Sequence, residues 1–378
     1  MRDVVIAGYA RSPFQPASRG ELAKVRPDDL VATVVRTLVA RTGVEPEAIE
    51  DLIVGCAFPE AEQGLNVARL SGFLAGLPER VAATTVNRFC GSSMQAIHMA
   101  AGAIALNAGE AFVCAGVESM SRVPMMGFNP MPHPGLVKEQ PDVFASMGET
   151  AENLARRHQI GRAEQEAFAV ASHRKAAAAQ AQGRFDAEIV PIAAKGGEVT
   201  RDGCIRPDTT SEKLAELKPA FDAAGTVTAG TSSPLTDGAA AVLVTSSDFA
   251  KAHGLPVLAR IRSIAVAGCA PELMGIGPVP AARKALERAR LDLADIDLVE
   301  LNEAFAAQAL AIVRTLGVDE EGLNLDGGAL ALGHPLGASG ARITGKAASL
   351  LQREGKALAL ATMCIGGGQG IATVLEAV

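Results

Sequence analysis

The sequence has 378 residues and is poor in aromatic residues and in positive charge. It contains no tryptophan and one tyrosine, whereas its 39 glycines and abundant alanines indicate closely packed helices, tight turns and buried strands. The formal net charge is −7, which argues against a nucleic-acid partner. At 48% hydrophobic residues, the chain is long and apolar enough for one large α/β body or for two or three domains.

The six cysteines, at positions 56, 90, 114, 204, 269 and 364, form no C-x-x-C pair. Zinc ribbons and thioredoxin-type motifs are therefore excluded, and a reducing compartment is expected. No stretch approaches 18 uninterrupted apolar residues, so we expect no membrane insertion. The opening MRDVVIAGYARSPF starts with a strand pattern and lacks the features of a leader peptide. We expect a cytoplasmic protein.

Two parts of the sequence repeat the same pattern. DDLVATVVRTLVARTGVEPEAIEDLIVGC and PVPAARKALERARLDLADIDLVELN both read as helix, loop and strand. The next helix recurs when Gly91-Ser92 is aligned with Ala338-Ser339, and the following strands AFVCAG and LALAT keep nearly the same separation. The strands are continuous apolar runs, typical of a sheet covered on both faces. We infer two similar α/β halves packed together.

The region between the repeats differs in character, since it is richer in methionine, proline and charge. We expect residues 1–118 to form an N-terminal half that is completed by about 234–258. Residues 119–233 are expected to be an inserted loop domain folded over that first half, and 259–378 a C-terminal half. The methionines of MSRVPMMGFNPMPHPG suit ordinary core packing or a flexible lining for an acyl chain.

A single cysteine stands at the start of the first repeated helix, in NRFCGSSMQAIHMAAGAIALNAG. Small or apolar residues recur at helical spacing from Met94 to Ala108, and Gly109 follows where a helix would end. Core filling is the commoner role of such a cysteine. However, unpaired N–H groups and the helix dipole favour an anion at this position. The pattern therefore predicts that the pKa of Cys90 is lowered and that its thiol is a nucleophile.

Three later stretches carry further candidates. NEAFAAQ places Asn302 after a strand, GHPLGASGAR places His334 before the second repeated helix, and CIGGGQG places Cys364 before a glycine turn. Taken alone, the first two suit a turn residue and a structural histidine. GGGQG lacks the Lys-Ser/Thr of a phosphate loop, so it predicts a hairpin whose glycines allow close backbone approach. Packing the halves about a pseudo-twofold axis would bring these segments and Cys90 together.

In combination, VNRFCGSSMQAIH, GVESMSR, NEAFAAQ, GHPLGASGAR and CIGGGQG resemble the thiolase family, in family order and over essentially the whole chain. The resemblance is nearest to the degradative 3-ketoacyl-CoA thiolases of fatty-acid β-oxidation, which TAGTSSPLTDGAAA also favours. It implies an α/β, duplicated thiolase-like fold, with two βαβαβαββ halves in an αβαβα layered body and an inserted loop domain. The implied reaction is thiolysis of a 3-ketoacyl-CoA by CoA, giving acetyl-CoA and a shortened acyl-CoA.

The resemblance also implies a role for each candidate residue. Cys90 would attack the keto carbon and carry the acyl group as a thioester in a ping-pong reaction. His334 would take the Cys90 proton and later help activate the CoA thiol, and Cys364 would protonate the departing acetyl-CoA carbanion. His334 with a water held by Asn302 would form one oxyanion site. The N–H groups of Cys90 and Gly366 would form a second site.

Further positions match family contacts with CoA, which is expected as a co-substrate, with no permanently bound cofactor and no metal. They are Ser233, Met147, Phe221, Ala229, Met274 and Phe305. Arg206 suits either a CoA contact or a solvated surface charge. The expected partners are acyl-CoA and CoA, with assembly as a homodimer or homotetramer, alone or with a β-oxidation hydratase/dehydrogenase subunit.

Three other functions are alternatives to this one. An acetyl-CoA C-acetyltransferase that forms acetoacetyl-CoA is the main alternative. Such biosynthetic thiolases more often have a histidine where Ser146 precedes Met147-Gly148 here. A decarboxylating ketoacyl synthase shares the duplicated fold but generally lacks a second cysteine, so Cys364 disfavours it. A non-catalytic lipid-binding or scaffold protein is disfavoured because all the reactive side chains are present.

Overall fold

The computed structural model describes residues 2–378. Its strands, in chain order, are β1 Val4–Arg11, β2 Gln15–Pro16, β3 Asp51–Gly55, β4 Ala82–Val86, β5 Ala111–Ser119, β6 Ile192–Ala194, β7 Gly197–Val199, β8 Thr236–Ser246, β9 Ala259–Gly268, β10 Leu298–Leu301, β11 Leu358–Ile365 and β12 Gln369–Glu376.

The helices are α1 Pro27–Thr42, α2 Val67–Ala75, α3 Ser92–Ala105, α4 Pro134–Glu139, α5 Met147–Arg157, α6 Arg162–Ala181, α7 Ser211–Ala215, α8 Ser247–Ala252, α9 Pro278–Ala289, α10 Ala306–Leu316, α11 Ala329–Leu332 and α12 Leu336–Glu354. Short 3₁₀ turns span Pro46–Ala48, Ala61–Gln63, Pro141–Phe144, Ala229–Thr231, Pro271–Ile276 and Leu293–Asp295.

A mixed sheet runs through both halves in the order β4-β3-β5-β8-β1-β9-β12-β11-β10, with β2 paired to β8. From its centre outward, each half repeats one plan. In the first half, β1 pairs antiparallel with β8, β8 pairs antiparallel with β5, and β5 pairs parallel with β3. In the second half, β9 pairs antiparallel with β12, β12 pairs antiparallel with β11, and β11 pairs parallel with β10. The halves meet where β1 and β9 pair antiparallel at Val5–Arg260 and Ile6–Ala259. The predicted duplication is therefore built into the sheet.

Three apolar clusters define five layers. One cluster packs α1 and α2 on the outer face of the first half, and another packs α9 and α10 on the outer face of the second half. The third lies between the halves and holds side chains of α3 and α12. Successive strand residues point to opposite faces, so Val54 joins the first outer cluster and Ile53 the central one. The layers follow the order α, β, α, β, α, as the family resemblance implies.

Close packing lets α12 occupy the central layer. A Cβ added to Gly337, in the first turn of α12, would lie 2.7 Å from the carbonyl oxygens of Gly55 and Val117. No side chain fits in that space, so the start of α12 rests directly on the ends of β3 and β5. This contact brings the segment before α12 to the end of the sheet where α3 also begins.

The helix α3 ends earlier than its sequence pattern predicts. Its last residue is Ala105, and Asn107 adopts a left-handed φ of 63°. The N–H of Ala108 turns back to the carbonyl of Ala103, at 2.9 Å, and so closes the helix before Gly109. The prediction of a helix reaching Ala108 was wrong because this local turn satisfies the terminal carbonyl first.

The region 119–233 packs on both halves, and not over the first half alone. Its helices α5 and α6 contact α10 and α11 of the second half through small apolar clusters. The segment that leads into β6 instead pairs with β1, where Arg11 N–H donates to Glu188 O at 2.8 Å and Val190 N–H donates to Arg11 O at 2.7 Å. The apolar faces of α5 and α6 pack on α10, and this contact sets the position of the two helices.

Buried ions tie the three regions together. Arg11 of the first half bonds Glu188 and Asp202 of the 119–233 region, at 2.8 and 2.7 Å. Lys346 of α12 bonds the same Glu188 at 3.0 Å and also Asp326 at 2.6 Å. Each of these buried charges has an opposite charge beside it, as burial requires. Among residues 2–378, no helix has the length and hydropathy needed to span a bilayer.

Candidate active site

Cys90 lies in a tight turn between β4 and α3. Phe89, just before it, has a left-handed φ of 43°, which is uncommon for a bulky side chain. The turn is held by Arg88 N–H, which donates to Ser92 Oγ at 2.9 Å, and by the Ser92 hydroxyl, which donates to Phe89 O at 2.6 Å. Such a strained turn between strand and helix fixes one side chain at the end of the sheet. Cys90 is the residue so fixed.

The Cys90 thiol is neutral in this structure. It is 8% exposed, and burial raises its pKa to about 12, although hydrogen bonds from the N–H groups of Gly366 and of Cys90 itself lower it. The negative charge of Glu118 raises it slightly further. The prediction that the helix terminus lowers this pKa was wrong, because loss of hydration outweighs the terminal N–H groups.

The second predicted thiol lies on the hairpin between β11 and β12. Cys364 is 1% exposed, and burial raises its pKa, with a further increase from the neighbouring Cys90. This effect means that the two sulfurs lie near each other. Gly366, two residues later, presents its N–H to Cys90. The predicted hairpin turn is present at Gly366–Gly368.

The glycines of that turn are needed at its second half. Gly367 and Gly368 have φ of 77° and 82°, and a Cβ on Gly368 would lie 2.9 Å from Pro271 Cα. A Cβ on Gly366 would meet only Phe89 and Met147, at 3.6 and 3.7 Å, which are ordinary contacts. The expected close backbone approach is therefore found at Gly368 and not at Gly366.

Asn302 and His334 form a second buried pair. Asn302 is fully buried, and its N–H donates to Thr362 O of β11 at 3.1 Å. Its Nδ2 lies 3.4 Å from His334 Nε2, and its Oδ1 has no hydrogen-bond partner among residues 2–378. Burial, together with a smaller effect of the positive charge of Arg342, lowers the pKa of His334 to about 3. The imidazole is therefore neutral and can accept a proton.

One hydroxyl orients this imidazole, and another holds the backbone of His334. His334 Nδ1 lies 2.6 Å from Ser339 Oγ, which also donates to Pro335 O at 3.3 Å, and the His334 N–H donates to Thr236 Oγ1 at 3.0 Å. Because the Ser339 hydroxyl donates to Pro335 O, it accepts from His334 Nδ1–H, and Nε2 is left as the acceptor of the ring. Neither Ser339 nor Thr236 was among the site residues predicted from the sequence. The position of Ser339 in the first turn of the helix after His334 was a signal that could have found it.

The Cys90 turn packs directly on the β11–β12 hairpin. A Cβ on Gly91 would lie 2.7 Å from Ile365 and 3.2 Å from Ile371. Arg88 adds a side-chain bond across the two halves, donating to Gln369 Oε1 at 2.8 Å. The nucleophile candidate and the hairpin that carries the second thiol are thus fixed relative to each other, although they are far apart in sequence.

The predicted CoA contacts divide into groups. Met147, Met274 and Phe305 share an apolar cluster with Cys364. The ring of Phe221 meets the Phe305 ring edge-on, with centroids 5.8 Å apart. This group forms an apolar surface beside the second thiol.

The remaining three residues lie at the edge of this surface or in a different cavity. Ser233 N–H donates to Ala304 O at 2.9 Å, next to Phe305, and Ala229 is exposed. Arg206 is also exposed and lines a cavity of about 360 Å³ together with Arg19. The structure therefore does not bring Arg206 into the apolar group around Cys364.

Comparisons with known proteins agree with this geometry. Family models described as "Thiolase, N-terminal domain" and "Thiolase, C-terminal domain" match residues 4–248 and 255–377. The chain is 48% identical to the 3-ketoacyl-CoA thiolase of Bacillus subtilis, covering 100% of both chains. A crystal structure of human mitochondrial 3-ketoacyl-CoA thiolase in complex with CoA is similar with a TM-score of 0.92 and 40% identity, over 100% of this chain and 98% of that one. The acetyl-CoA acetyltransferase of Bacillus anthracis has a TM-score of 0.91 and 42% identity, over 100% and 99%.

Proposed function

This chain belongs to the thiolase family, and on that basis we propose that it cleaves 3-ketoacyl-CoA with CoA to give acetyl-CoA and a shortened acyl-CoA, as in fatty-acid β-oxidation. The observation that carries the proposal is that the turn of the buried thiol Cys90 packs on the β11–β12 hairpin, which carries the second buried thiol, Cys364, and whose Gly366 N–H bonds Cys90. A reaction that breaks a carbon–carbon bond needs both a nucleophile and a separate acid for the carbanion that leaves. Two thiols at one centre supply these roles.

The first half-reaction begins with two neutral groups. Cys90 Sγ attacks the keto carbon while its proton passes to His334, whose ring is neutral at rest and gains basicity as negative charge develops on the substrate oxygen beside it. The bond between C2 and C3 then breaks, which leaves the acyl group on Cys90 and a carbanion on acetyl-CoA. That carbanion takes the proton of Cys364, whose thiolate is then protonated again by the His334 imidazolium. Acetyl-CoA leaves, and both groups are neutral again.

The second half-reaction regenerates the enzyme. The thiol of CoA gives its proton to His334 while its sulfur attacks the thioester on Cys90. The thioester bond to Cys90 breaks, and the departing sulfur takes the proton back from His334. Atoms and charges balance without an outside oxidant or reductant.

Two oxyanion sites would stabilise the charge that develops on oxygen. One is proposed at the N–H groups of Cys90 and Gly366, which already direct hydrogen bonds at the Cys90 sulfur. The other is proposed at His334 and a water bound by Asn302, whose buried Oδ1 lacks a partner among the described residues. Loss of one oxyanion donor commonly slows such reactions by roughly a hundredfold or more.

CoA is the proposed co-substrate, with no permanently bound cofactor. The apolar cluster of Met147, Met274 and Phe305, with the adjoining Phe221, is suited to the pantetheine arm because it leads to Cys364. Ser233 and Ala229 are proposed at its edge. For Arg206, a role in binding CoA has less support, since it lines a different cavity.

A homodimer or homotetramer is proposed for the assembly. The strand β4 is the last strand at one end of the sheet, and the adjacent α2 exposes Phe73 and Leu74. An open edge beside exposed apolar side chains is suited to pairing with a second copy. Light scattering after size exclusion would give the mass, and co-purification would reveal a hydratase/dehydrogenase subunit. A cytoplasmic location is proposed because all six cysteines are free in the described residues.

The function is tested by mixing the purified protein with 3-ketoacyl-CoA of increasing chain length, with and without CoA. We expect an acyl adduct on Cys90 by peptide mass spectrometry and CoA-dependent loss of substrate. Absence of any adduct on Cys90 contradicts the proposal. The alternative is acetoacetyl-CoA synthesis, which the similarity to the Bacillus anthracis acetyltransferase favours. A preference confined to the four-carbon substrate, in both directions, would support that alternative.

A further inference from the structure

The carboxylate of Glu118 has no part in the mechanism above, yet it lies between the two segments that carry the reacting groups. It is fully buried near the end of β5. It accepts four hydrogen bonds at 2.8 to 3.2 Å, from the N–H groups of Ala57, Phe58 and Gly337 and from Gln63 Nε2. Burial raises the pKa of Glu118, whereas these four donors lower it, because an ionised carboxylate accepts hydrogen bonds with both oxygens.

One of these bonds reaches the segment of His334. Gly337 is in the first turn of α12, three residues after His334, and its N–H donates to Glu118 Oε2 at 2.9 Å. A negative charge at the start of a helix is favourable, because the unpaired N–H groups carry partial positive charge. Glu118 therefore anchors the start of α12 to the opposite half of the molecule.

The other bonds lead to the turn of Cys90. Glu118 Oε2 also accepts from Ala57 N–H, and Ala57 O accepts from Asn87 Nδ2 at 2.9 Å. Asn87 Oδ1 in turn accepts from Phe89 N–H at 2.8 Å, in the residue of left-handed φ just before Cys90. A single carboxylate oxygen thus connects the strained turn with α12.

The charge of Glu118 also acts on Cys90. It disfavours the Cys90 thiolate and faces Cys56, the residue just after β3, whose Sγ lies 3.7 Å away. From β11, Cys364 faces the same Cys90 sulfur, and Arg342 of α12 acts on His334. Among these groups of the described chain, Glu118 is the only carboxylate. Removing its charge is therefore expected to favour the Cys90 thiolate.

We propose that Glu118 is a positioning residue whose side chain reaches both the Cys90 turn and the start of the His334 helix, and whose negative charge strengthens the hydrogen bonds that hold the two segments together. The proposal rests on the proposed function for its meaning in catalysis. Its first part concerns reach and its second part concerns charge, so the two can be separated by substitution.

Glu118→Gln keeps the reach and removes the charge, whereas Glu118→Asp keeps the charge and shortens the reach. Alkylation of Cys90 by iodoacetamide between pH 7 and 10, followed by peptide mass spectrometry, reports the thiolate without any CoA substrate. We expect Glu118→Gln to alkylate roughly threefold faster at a given pH, because the amide removes a charge that disfavours the thiolate and cannot accept all four hydrogen bonds. We expect Glu118→Asp to keep the wild-type pH dependence. An unchanged profile in Glu118→Gln overturns the role of the charge.

Acyl transfer tests the role of reach. In Glu118→Asp, we expect kcat for thiolysis to fall roughly ten- to a hundredfold with a smaller change in KM, because the reacting groups are misplaced while CoA still binds. Wild-type kcat in Glu118→Asp overturns this part. If wild type itself cleaves no ketoacyl-CoA, the proposed function fails, but the alkylation result for Glu118 still stands.

Gln63→Met is the matched control for loosening of the structure. It removes the Nε2 bond to Glu118 and the bond from Ser119 N–H, at 2.6 Å, without changing any charge. We expect a severalfold lower kcat and an unchanged pH dependence of alkylation. Faster alkylation in all three variants, with lowered thermal unfolding temperatures, would mean general exposure of Cys90 and would overturn the proposal. If the Glu118 variants fail to fold, wild-type kcat in Gln63→Met overturns it.

Discussion

Cys90 and His334 occupy the same position in the two halves of the molecule. Each lies two residues before its helix, α3 or α12, and each follows a residue with positive φ, Phe89 at 43° and Gly333 at 100°. The duplicated fold has thus placed the proposed nucleophile in one half and the proposed proton acceptor in the other. The sequence alignment of Gly91-Ser92 with Ala338-Ser339 does not match these helix starts.

Burial acts on this pair in opposite directions. It raises the pKa of Cys90 to about 12 and lowers the pKa of His334 to about 3, so both groups are neutral at rest. Loss of hydration always disfavours the charged form, whichever sign it has. A thiolate and an imidazolium would then form only when substrate supplies an oxygen on which charge can develop. At these equivalent positions, the same loss of hydration therefore shifts the two pKa values in opposite directions, because one side chain is charged when it loses a proton and the other when it gains one.

Replacing the proposed nucleophile is expected to have the largest effect on activity. In Cys90→Ser, we expect acyl-enzyme formation to fall below roughly a thousandth of wild type, because an alcohol ionises far less readily than a thiol. Intact-mass spectrometry after mixing with acyl-CoA measures the adduct. A wild-type yield of adduct in Cys90→Ser would mean that another residue carries the acyl group.

Removing the second thiol separates the two half-reactions. In Cys364→Ala, we expect thiolysis of 3-ketoacyl-CoA to fall by about a hundred- to ten-thousandfold, because the acetyl-CoA carbanion loses its proton donor. Acylation of Cys90 by a simple acyl-CoA should persist, since that step breaks no carbon–carbon bond. Equal loss of both activities would refute the role of Cys364.

Much of this arrangement could be predicted from the sequence. Motif order and the repeated helix–strand pattern predicted the duplicated, layered fold, which the structure and the family match confirm. The roles of Cys90, His334, Cys364, Asn302 and Gly366 remain predictions, although the structure brings these residues to adjoining segments.

The errors share a physical cause. The pKa of Cys90 and the packing of α5 and α6 both depend on residues distant in sequence. Local pattern shows the helix terminus beside Cys90 but not the burial that outweighs it. The proposed linking role of Glu118 was likewise not visible in the sequence. One donor, Ala57, lies upstream of Glu118, and another, Gly337, lies more than 200 positions downstream.

The two central helices also differ in the charges they bury. The helix α12 carries Lys346, 4% exposed, between Glu188 and Asp326. In Lys346→Met, we expect the free energy of unfolding to fall by about 3 kcal/mol, because two buried carboxylates lose a shared cation. Urea denaturation measures this loss. The matched control is Lys213→Met, which removes an exposed pair with Asp208 at 2.7 Å and should have no measurable effect. Equal effects would show that burial does not decide the outcome.

The helix α3 instead buries an uncharged imidazole. His98 Nε2 lies 2.8 Å from Thr373 Oγ1, and burial, with the charges of Arg88 and Arg288, lowers the pKa of His98 to about 3. Because the folded pKa is below the ordinary value of about 6.5, unfolding takes up a proton at lower pH. The stabilisation is complete above about pH 6.5 and is lost as pH falls towards 3.

His98→Gln, which can still bond Thr373, should remove this dependence. Between pH 7.5 and 5.5, we expect the wild type to lose roughly 1 kcal/mol more unfolding free energy than His98→Gln. Urea denaturation across this range measures the difference, and carboxylates and the remaining histidines contribute equally to both proteins. Parallel curves for the two proteins would mean that His98 is protonated inside the fold. In that case, burial in α3 would not lower the pKa of an imidazole as it does for His334. The comparison of the two halves would then fail for the smallest effect that can be measured.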